Sequence, residues 1–266
     1  MRTFFYVFIF AFAGLTACQP ASTNEGAETE TADQEEVVAQ KAYTLTPFAG
    51  SFEFPDADLQ SMTYENGNFN FNFVGYQLGQ QTPDADSKMC ANSDKGSHIH
   101  LIVNTQPYAA KYEAEFAHDV RDGDHKILAF LSRSYHESIK NGKAYIAQNV
   151  TVADKAITSA EDITEPVLFY SRPKGTYIGK ANTDKVMLDF FLVNADLGDQ
   201  YRVKAMINDE EHIIDKWQPY YIEGLPMGEN QITLTLIDKE GNKVDAPLNP
   251  VSRKFTLQAD PIENAN

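Results

Sequence analysis

The chain has 266 residues, and its 38 acidic residues outnumber its 22 basic ones, giving a net charge of −16 at pH 7. This charge excludes nucleic acid and anionic membrane surfaces as partners, because both would repel the protein. A hydrophobic content of 42% is sufficient for packed cores, the length predicts two domains, and two cysteines exclude a disulfide framework.

The N-terminus carries a cationic residue and then an apolar run, Phe4 to Ala13, that is too short to span a bilayer and is typical of a signal peptide. The next motif, Leu15-Thr16-Ala17-Cys18, resembles the lipobox of bacterial lipoproteins, in which cleavage precedes an acylated cysteine. The resemblance implies a signal peptide over 1–17, lipidation at Cys18 and, from Gln19, an outer-membrane location on the periplasmic or the outer side. The alternative is an ordinary cleaved signal with a chance cysteine.

Residues 18–41 contain mainly Glu, Thr, Ala, Ser and Asn and show no apolar periodicity. Such a segment buries too little apolar surface to offset the entropy lost on ordering. We therefore expect a flexible acidic tether here, and a disordered tail over 259–266 at the other end of the chain.

Between these segments the sequence consists of short alternating or apolar runs, bounded by Gly, Asp, Asn and Pro, which indicate strands. The runs are YTLTPF, SFEF, FNFNFVGYQL, HIHLIVN, HKILAFLSR and KAYIAQNV, then VLFYSR, KVMLDFFLVN, YRVKAMIN, EEHIIDKW, QITLTLID and SRKFTLQ. They predict an all-β fold. The pattern of DGDHKILAFLSRS and MGENQITLTLIDKEGN resembles the late strands of immunoglobulin-like and fibronectin-type domains. We expect two tandem β-sandwich domains, 42–152 and 163–258, joined by a linker at 153–162.

The two series of strands are related by an internal repeat. Gly123–Ile127 aligns with Gly228–Ile232 at a spacing of 105 residues. Features that both copies keep are expected to be architectural, whereas features that one copy has acquired are candidates for function. His125 corresponds to Asn230 and is therefore predicted to be structural.

His98 and His100 in the first copy correspond to Arg202 and Lys204 in the second. Alternate residues of a strand share a face, so the two imidazoles are expected to project together. A third ligand from His136 or Cys90 would complete a site for copper or zinc. The alternative, which an HxH pair by itself favours, is that both histidines are hydrogen-bonded surface residues while Ile99, Leu101 and Val103 form the core face.

The segment Ser132-Arg133-Ser134-Tyr135-His136 is similar in part to the serine-arginine-x-histidine signature of forkhead-associated domains, β-sandwiches that bind phosphothreonine peptides. The resemblance implies that Ser132 and Arg133 bind phosphate. The chain departs from the signature because Tyr135 adds one residue before the histidine and no Gly-Arg pair precedes it at the family's distance.

No nucleophile elbow, P-loop or dinucleotide fingerprint is present in the sequence, and Cys90 is expected to be a buried or semi-exposed thiol outside any catalytic arrangement. We therefore expect a non-enzymatic binding or structural protein of the cell envelope, held at the membrane by lipid, with a protein, peptide or glycan as ligand. Metal binding and phosphopeptide binding are the two alternatives.

Overall fold

The computed structural model describes residues 42–48 and 50–261. The predicted signal peptide, Cys18, the tether and the last five residues of the predicted tail lie outside these ranges. The described residues belong to one compact unit. Within them, no helix is both long enough and apolar enough to cross a membrane.

The structure is all-β, as predicted, with only one 3₁₀ turn (Ala85–Ser87) and one α-helical turn, α1 (Lys180–Thr183), in the described residues. Strands of the first half are β1 (Thr44–Pro47), β2 (Asp58–Glu65), β3 (Asn68–Val74), β4 (His98–Val103), β5 (Ala109–Lys111), β6 (Glu115–Ala117), β7 (Gly123–Ser132), β8 (Tyr145–Ala153) and β9 (Ala156–Asp162). Strands of the second half are β10 (Val167–Arg172), β11 (Gly175–Ile178), β12 (Lys185–Val193), β13 (Tyr201–Ile207), β14 (Glu210–Ile214), β15 (Tyr220–Glu223), β16 (Gly228–Asp238) and β17 (Val251–Gln258).

These strands form four sheets. Sheet I has the order β2-β3-β6, sheet II β5-β4-β7-β8-β9, sheet III β1-β15-β12-β10 and sheet IV β11-β17-β16-β13-β14. Every pairing between named strands is antiparallel except that of β11 with β17. The alternation of side chains along each strand gives every sheet two faces, and an apolar face is stable only where another sheet covers it.

Three apolar cores join the four sheets face to face. The first core lies between sheets I and II, with Phe69 and Ile127 among its members. The second lies between sheets III and IV and includes Phe190 and Leu234. The third joins the two halves, because Phe130 of sheet II packs in it with residues of β10 and β12 from sheet III. Sheets II and III are therefore covered by other sheets on both faces.

Strand β4 is buried along its whole length because it lies inside sheet II. Ile99, Leu101 and Val103 face the core shared with sheet I, as predicted for the core face. The alternate residues of the same strand face the opposite way, and Ile102 packs in the core shared with sheet III. The face of β4 that carries the two histidines is thus directed at the second half of the chain.

Three predictions about chain organisation were wrong. The segment 153–162, predicted as a linker, contains the whole of β9, because the turn at Asp154 and Lys155, both with positive φ, folds the chain back to pair with β8. Strand β1 pairs with β15 of the second half, although the sequence placed it in the first domain. The run SFEF is not a strand, and the structure instead has β2 at Asp58–Glu65.

The internal repeat is confirmed by the strand register. Val103 of β4 pairs with Ile127 of β7, and Ile207 of β13 pairs with Ile232 of β16 at the equivalent positions. Each leading strand ends in an asparagine with a positive φ, 54° at Asn104 and 52° at Asn208. Asparagine tolerates this left-handed conformation better than most residues, which explains why both copies have it there.

Candidate metal centre

The site begins with strand β4, whose alternation places His98 and His100 on the same side. Both side chains are 0% exposed. The prediction that they share a face is confirmed, but the alternative that they are surface residues is wrong. The reason is that sheet III packs on this face of sheet II, and no local sequence pattern predicts this packing.

His136 lies in the turn that follows β7. Its backbone φ is 70°, in the left-handed region that non-glycine residues rarely adopt. The turn is closed by hydrogen bonds from the His136 amide to the Arg133 carbonyl, 2.8 Å, and from the Arg133 amide to the Glu137 carbonyl, 2.9 Å. This conformation turns the imidazole of His136 towards β4.

A carboxylate from the second half holds the same turn. Asp189 of β12, 0% exposed, accepts a hydrogen bond from the Ser138 amide at 3.0 Å and forms an ion pair with Lys140 at 2.6 Å. The position of His136 therefore depends on contacts between sheet III and the β7 turn.

The three imidazoles converge. His98 Nε2 lies 2.8 Å from His100 Nε2 and 3.0 Å from His136 Nδ1. One ligand nitrogen from each of the three residues lies within 4.8 Å of the others. These three histidines are among the four metal ligands predicted from the sequence, the fourth being Cys90.

In His98 and His100, the ring nitrogen that faces away from the centre has a partner. His98 Nδ1 lies 2.9 Å from the Gly96 carbonyl oxygen, and His100 Nδ1 lies 3.4 Å from the Ser171 hydroxyl. A carbonyl oxygen only accepts hydrogen bonds, so His98 Nδ1 carries a proton and Nε2 of the neutral ring presents its lone pair to the centre.

Burial keeps the three histidines neutral. Burial is the main cause that lowers the pKa of His98, and with the positive charges of Arg172 and Lys174, which also lower it, the pKa is about 4. Burial is also the main cause that lowers the pKa of His100 and of His136, with contributions from the neighbouring histidines and the same two cations. At neutral pH the centre is a set of uncharged nitrogen donors.

Aromatic rings pack around the imidazoles. The ring of Tyr108 stacks on His100, with centroids 3.6 Å apart and planes 8° from parallel, and its hydroxyl lies 3.3 Å from His136 Nδ1. Tyr112 contacts His98 at a centroid distance of 5.0 Å. The Lys174 ammonium lies 4.0 Å from the centroid of the Tyr108 ring. These aromatic and cationic neighbours were not predicted as part of the site.

Cys90 does not belong to this group. Its side chain, 8% exposed, packs in a separate cluster with Tyr135, Met187 and Tyr221. Burial raises the pKa of the Cys90 thiol to about 12, so the thiolate needed for metal binding is disfavoured. The prediction of Cys90 as a ligand fails because its loop packs over sheet III, where Met89 donates a backbone hydrogen bond to the Tyr221 hydroxyl.

Ser132 and Arg133, the predicted phosphate-binding pair, are engaged within the protein. The Ser132 hydroxyl is buried and donates to the carbonyls of Arg133 and Glu137. The Arg133 guanidinium, 6% exposed, forms an ion pair with Glu137 and donates to the carbonyls of Phe52 and Ser138. The structure therefore gives the phosphopeptide prediction no support.

No protein-family model matches the chain, and no curated protein is similar to it in sequence. Fibronectin(III)-like modules of Clostridium thermocellum CbhA have 14% identity and a TM-score of 0.27, covering 36% of this chain and 100% of theirs. The extracellular domain of the putative hybrid two-component system BT3049 from B. thetaiotaomicron has 9% identity and a TM-score of 0.29, covering 76% of this chain and 37% of that one. The SGBP-B protein of the Bacteroides ovatus mixed-linkage glucan utilization locus has 10% identity and a TM-score of 0.19, covering 82% and 48%. At these TM-scores the similarities assign no function to the chain.

Proposed function

We propose that the protein is a non-enzymatic binding protein of the bacterial cell envelope, attached to the outer membrane through lipid on Cys18, that holds a copper or zinc ion at His98, His100 and His136. The observation that carries this proposal is the convergence of three imidazole nitrogens, two of them on fully buried side chains, within 4.8 Å of one another.

The spacing of the nitrogens supports a shared ion. With metal–nitrogen bonds of about 2.0–2.1 Å, two ligands lie about 2.9 Å apart at a right angle and about 3.4 Å apart at a tetrahedral angle. The distances from His98 Nε2 to the other two nitrogens, 2.8 and 3.0 Å, fall close to this range. The group as a whole extends to 4.8 Å, which is more than two such bonds can span, so one ring must move inward by about 1 Å before all three bind one ion.

The distribution of protons supports the same function. The lone pair of His98 Nε2 faces two other ring nitrogens, and it accepts at best one well-formed hydrogen bond from them. A metal ion accepts all three lone pairs at once. The outward contacts of His98 with Gly96 and of His100 with Ser171 resemble the outer partners that orient metal-binding histidines.

The backbone of His136 adds a further argument. A non-glycine residue with positive φ is held at a cost of about 1–3 kcal/mol. Here the hydrogen bonds of the turn and the contact of Ser138 with Asp189 hold the residue in place. Such strain is typical of positions where the direction of a side chain is important.

The ligand set favours zinc or copper. All three donors are imidazoles, and these suit zinc and copper, whereas magnesium and calcium prefer oxygen ligands. With Cys90 in a separate cluster, no thiolate takes part.

The experiment is to purify the protein without chelator or histidine tag, measure its metal content, and titrate the metal-free form with Zn²⁺ and Cu²⁺ by calorimetry. We expect one ion per chain with a Kd below about 1 µM. His98→Gln should weaken binding by about 100-fold or more, since loss of even an outer partner costs 10- to 100-fold.

The matched control is His125→Asn, which changes a histidine outside the cluster to the residue that the second copy has, Asn230. Its metal affinity should equal that of the wild type. Binding no tighter than about 1 µM for either ion, or equal affinity in His98→Gln, would remove the proposal.

A further inference from the structure

Among the described residues, Arg172 and Lys174 near the histidine centre, and Arg253 on the other sheet of the second half, have no acidic ion-pair partner. Arg172 ends β10, Lys174 follows it by two residues, and Arg253 lies on β17. None of the three takes part in an ion pair within residues 42–48 and 50–261. The two arginine side chains are nevertheless buried, with exposures of 4% and 8%. In a chain with a net charge of −16, unpaired buried cations are unexpected.

Arg172 is the most deeply buried of these cations, and its guanidinium is only partly satisfied. Its Nε and Nη2 both donate to the Tyr177 hydroxyl, at 3.3 and 2.8 Å. Its Nη1 is buried and has no hydrogen-bond partner in the part of the chain that the structure describes. A buried, charged donor without a partner is costly, and a guanidinium is suited to carboxylate and phosphate oxygens.

The residue opposite Arg172 does not neutralise it. Asp189 faces Arg172 in the register of β10 and β12. Its carboxylate is held instead by Lys140 at 2.6 Å and by the Ser138 amide at 3.0 Å. Arg172 therefore keeps an unpaired positive charge next to the histidines, where that charge contributes to the electrostatics of all three.

Lys174 lies between the buried Arg172 region and solvent, because its side chain is partly exposed. Its ammonium lies 4.0 Å from the centroid of the Tyr108 ring, and that ring stacks on His100. The side chains of Lys174, Tyr112 and His136 are all partly exposed, unlike those of His98 and His100. The centre therefore has a solvent side that is lined by a cation.

We propose that Arg172 and Lys174 form an anion subsite beside the three-histidine centre, and that it takes a small oxyanion with a carboxylate or phosphate group. Arg172 Nη1 donates to the anion from inside the protein, and Lys174 attracts it from the solvent side. This subsite stands on the arginine and lysine alone.

Its coupling to metal rests on the proposed function. A divalent ion held by three neutral imidazoles next to two cations concentrates positive charge that no carboxylate of the cluster offsets. A bound oxyanion would supply the missing negative charge. Metal and anion should therefore each strengthen the binding of the other by the same factor.

The test uses the full-length purified protein, first free of metal and then loaded with Zn²⁺. Inorganic phosphate and acetate are titrated separately, with chloride at equal ionic strength as the reference. We expect one of the two oxyanions to bind to the metal-free protein in the millimolar range or tighter, and about 10-fold or more tightly after loading. The anion that binds better identifies the chemical class of the ligand.

Lys174→Gln is the decisive variant, because its partly exposed side chain can change without opening the core. It should weaken anion binding by about 10-fold, as expected for one charge-assisted hydrogen bond. The matched control is Lys204→Gln, at the position of the second copy that corresponds to His100, and it should bind as the wild type does. Arg172→Met should abolish anion binding, and its folding is checked by circular dichroism.

The outcomes separate the two proposals. Tight Zn²⁺ binding that is unaffected by either anion overturns the subsite and leaves the metal centre intact. Anion binding without metal binding overturns the metal centre and leaves the subsite. Binding of neither anion up to about 50 mM, or equal binding by Lys174→Gln and the wild type, overturns the subsite.

Discussion

The two copies of the repeat share their turn chemistry and differ in what covers one strand face. In the first copy Asn104 Oδ1 accepts from the Lys126 amide at 2.8 Å; in the second Asn208 Oδ1 accepts from the Gln231 amide at 2.9 Å. The side-chain nitrogen of each asparagine also has a partner at an equivalent position. Asn104 Nδ2 lies 3.0 Å from His125 Nδ1, and Asn208 Nδ2 donates to Asn230 Oδ1 at 3.0 Å. The two turns therefore share these contacts, which supports the structural role predicted for His125.

The faces of the equivalent strands are in different environments. On β4 the residues at alternate positions, His98 and His100, face sheet III and are fully buried. On β13 the corresponding residues, Arg202 and Lys204, are partly exposed, and Lys204 forms an ion pair with Glu211. Strands β4 and β13 are thus equivalent, but packing of the second half on the first encloses only the histidine face of β4. The candidate metal centre is a product of that enclosure.

The largest effect that we expect from burying the histidine face of β4 is a loss of stability of the metal-free protein at acid pH. The pKa of each of the three buried histidines is lowered in the folded state, to about 4 for His98, so the unfolded chain binds more protons below about pH 6.5. Stability is fully present above about pH 6.5 and is lost as the pH falls towards the folded-state pKa. Each histidine should contribute about 1.4 kcal/mol per pH unit within that window.

Urea denaturation at a series of pH values, in the presence of a chelator, measures this loss. His136→Gln should reduce the pH dependence by about one third, since one of three titrating groups is removed. A free energy of unfolding that stays constant between about pH 6.5 and pH 4.5 would contradict a neutral buried cluster.

The next effect concerns the contact between the halves that holds the His136 turn. Asp189→Ala removes the partner of Lys140 and leaves the buried Ser138 amide without an acceptor. We expect the free energy of unfolding to fall by about 3–5 kcal/mol, as for other broken buried pairs. The control is Asp184→Ala, which removes an exposed pair with Lys180 and should cost about 0–1 kcal/mol. Similar small losses in both variants would show that Asp189 does not hold the turn.

Much of the fold follows from local patterns, whereas the cover over the site does not. Alternation identified strands such as β4 and β7, and the period of two placed His98 and His100 on one face. Comparison of the two copies of the repeat identified His125 as structural and not as a candidate ligand, because the second copy has Asn230 at that position. These inferences succeed because they depend on neighbouring residues along one strand or on turn chemistry that is repeated.

The failures that concern the candidate site and β1 are non-local, whereas those at SFEF and at residues 153–162 concern short local segments. The burial of His100 depends on Ser171 and on sheet III, which lie about seventy residues further along the chain. Strand β1 joins sheet III by pairing with β15, and Cys90 packs in a cluster with Tyr221, outside the histidine group. Arg172 and Lys174 follow the strand VLFYSR of the second half, and nothing in their sequence neighbourhood points to β4. Contacts between sheets are set by packing of whole faces, which one sequence read in order does not specify.

A smaller effect tests the shared part of the two copies. Asn104→Ala and Asn208→Ala each remove an acceptor for a backbone amide and place alanine at a positive φ, 54° or 52°. Each should lower the free energy of unfolding by about 1–3 kcal/mol, and by similar amounts in the two copies. The glycine variants at the same positions isolate the hydrogen bond, because glycine adopts positive φ without strain. A loss confined to one copy would show that the turns are equivalent in geometry but not in energy.

The smallest expected effect comes from placing the same two histidines in the second copy. Arg202→His with Lys204→His recreates the HxH spacing on β13, where the side chains are partly exposed. Surface changes of this kind shift stability by about 0.5 kcal/mol or less. In a background carrying His98→Gln, we expect Zn²⁺ binding about 100-fold or more weaker than at the first copy, because no sheet encloses the introduced rings and holds them in place. Calorimetry that found equal affinities would mean that spacing alone makes the site and that the enclosure by sheet III, together with the strained turn at His136, adds nothing to metal binding.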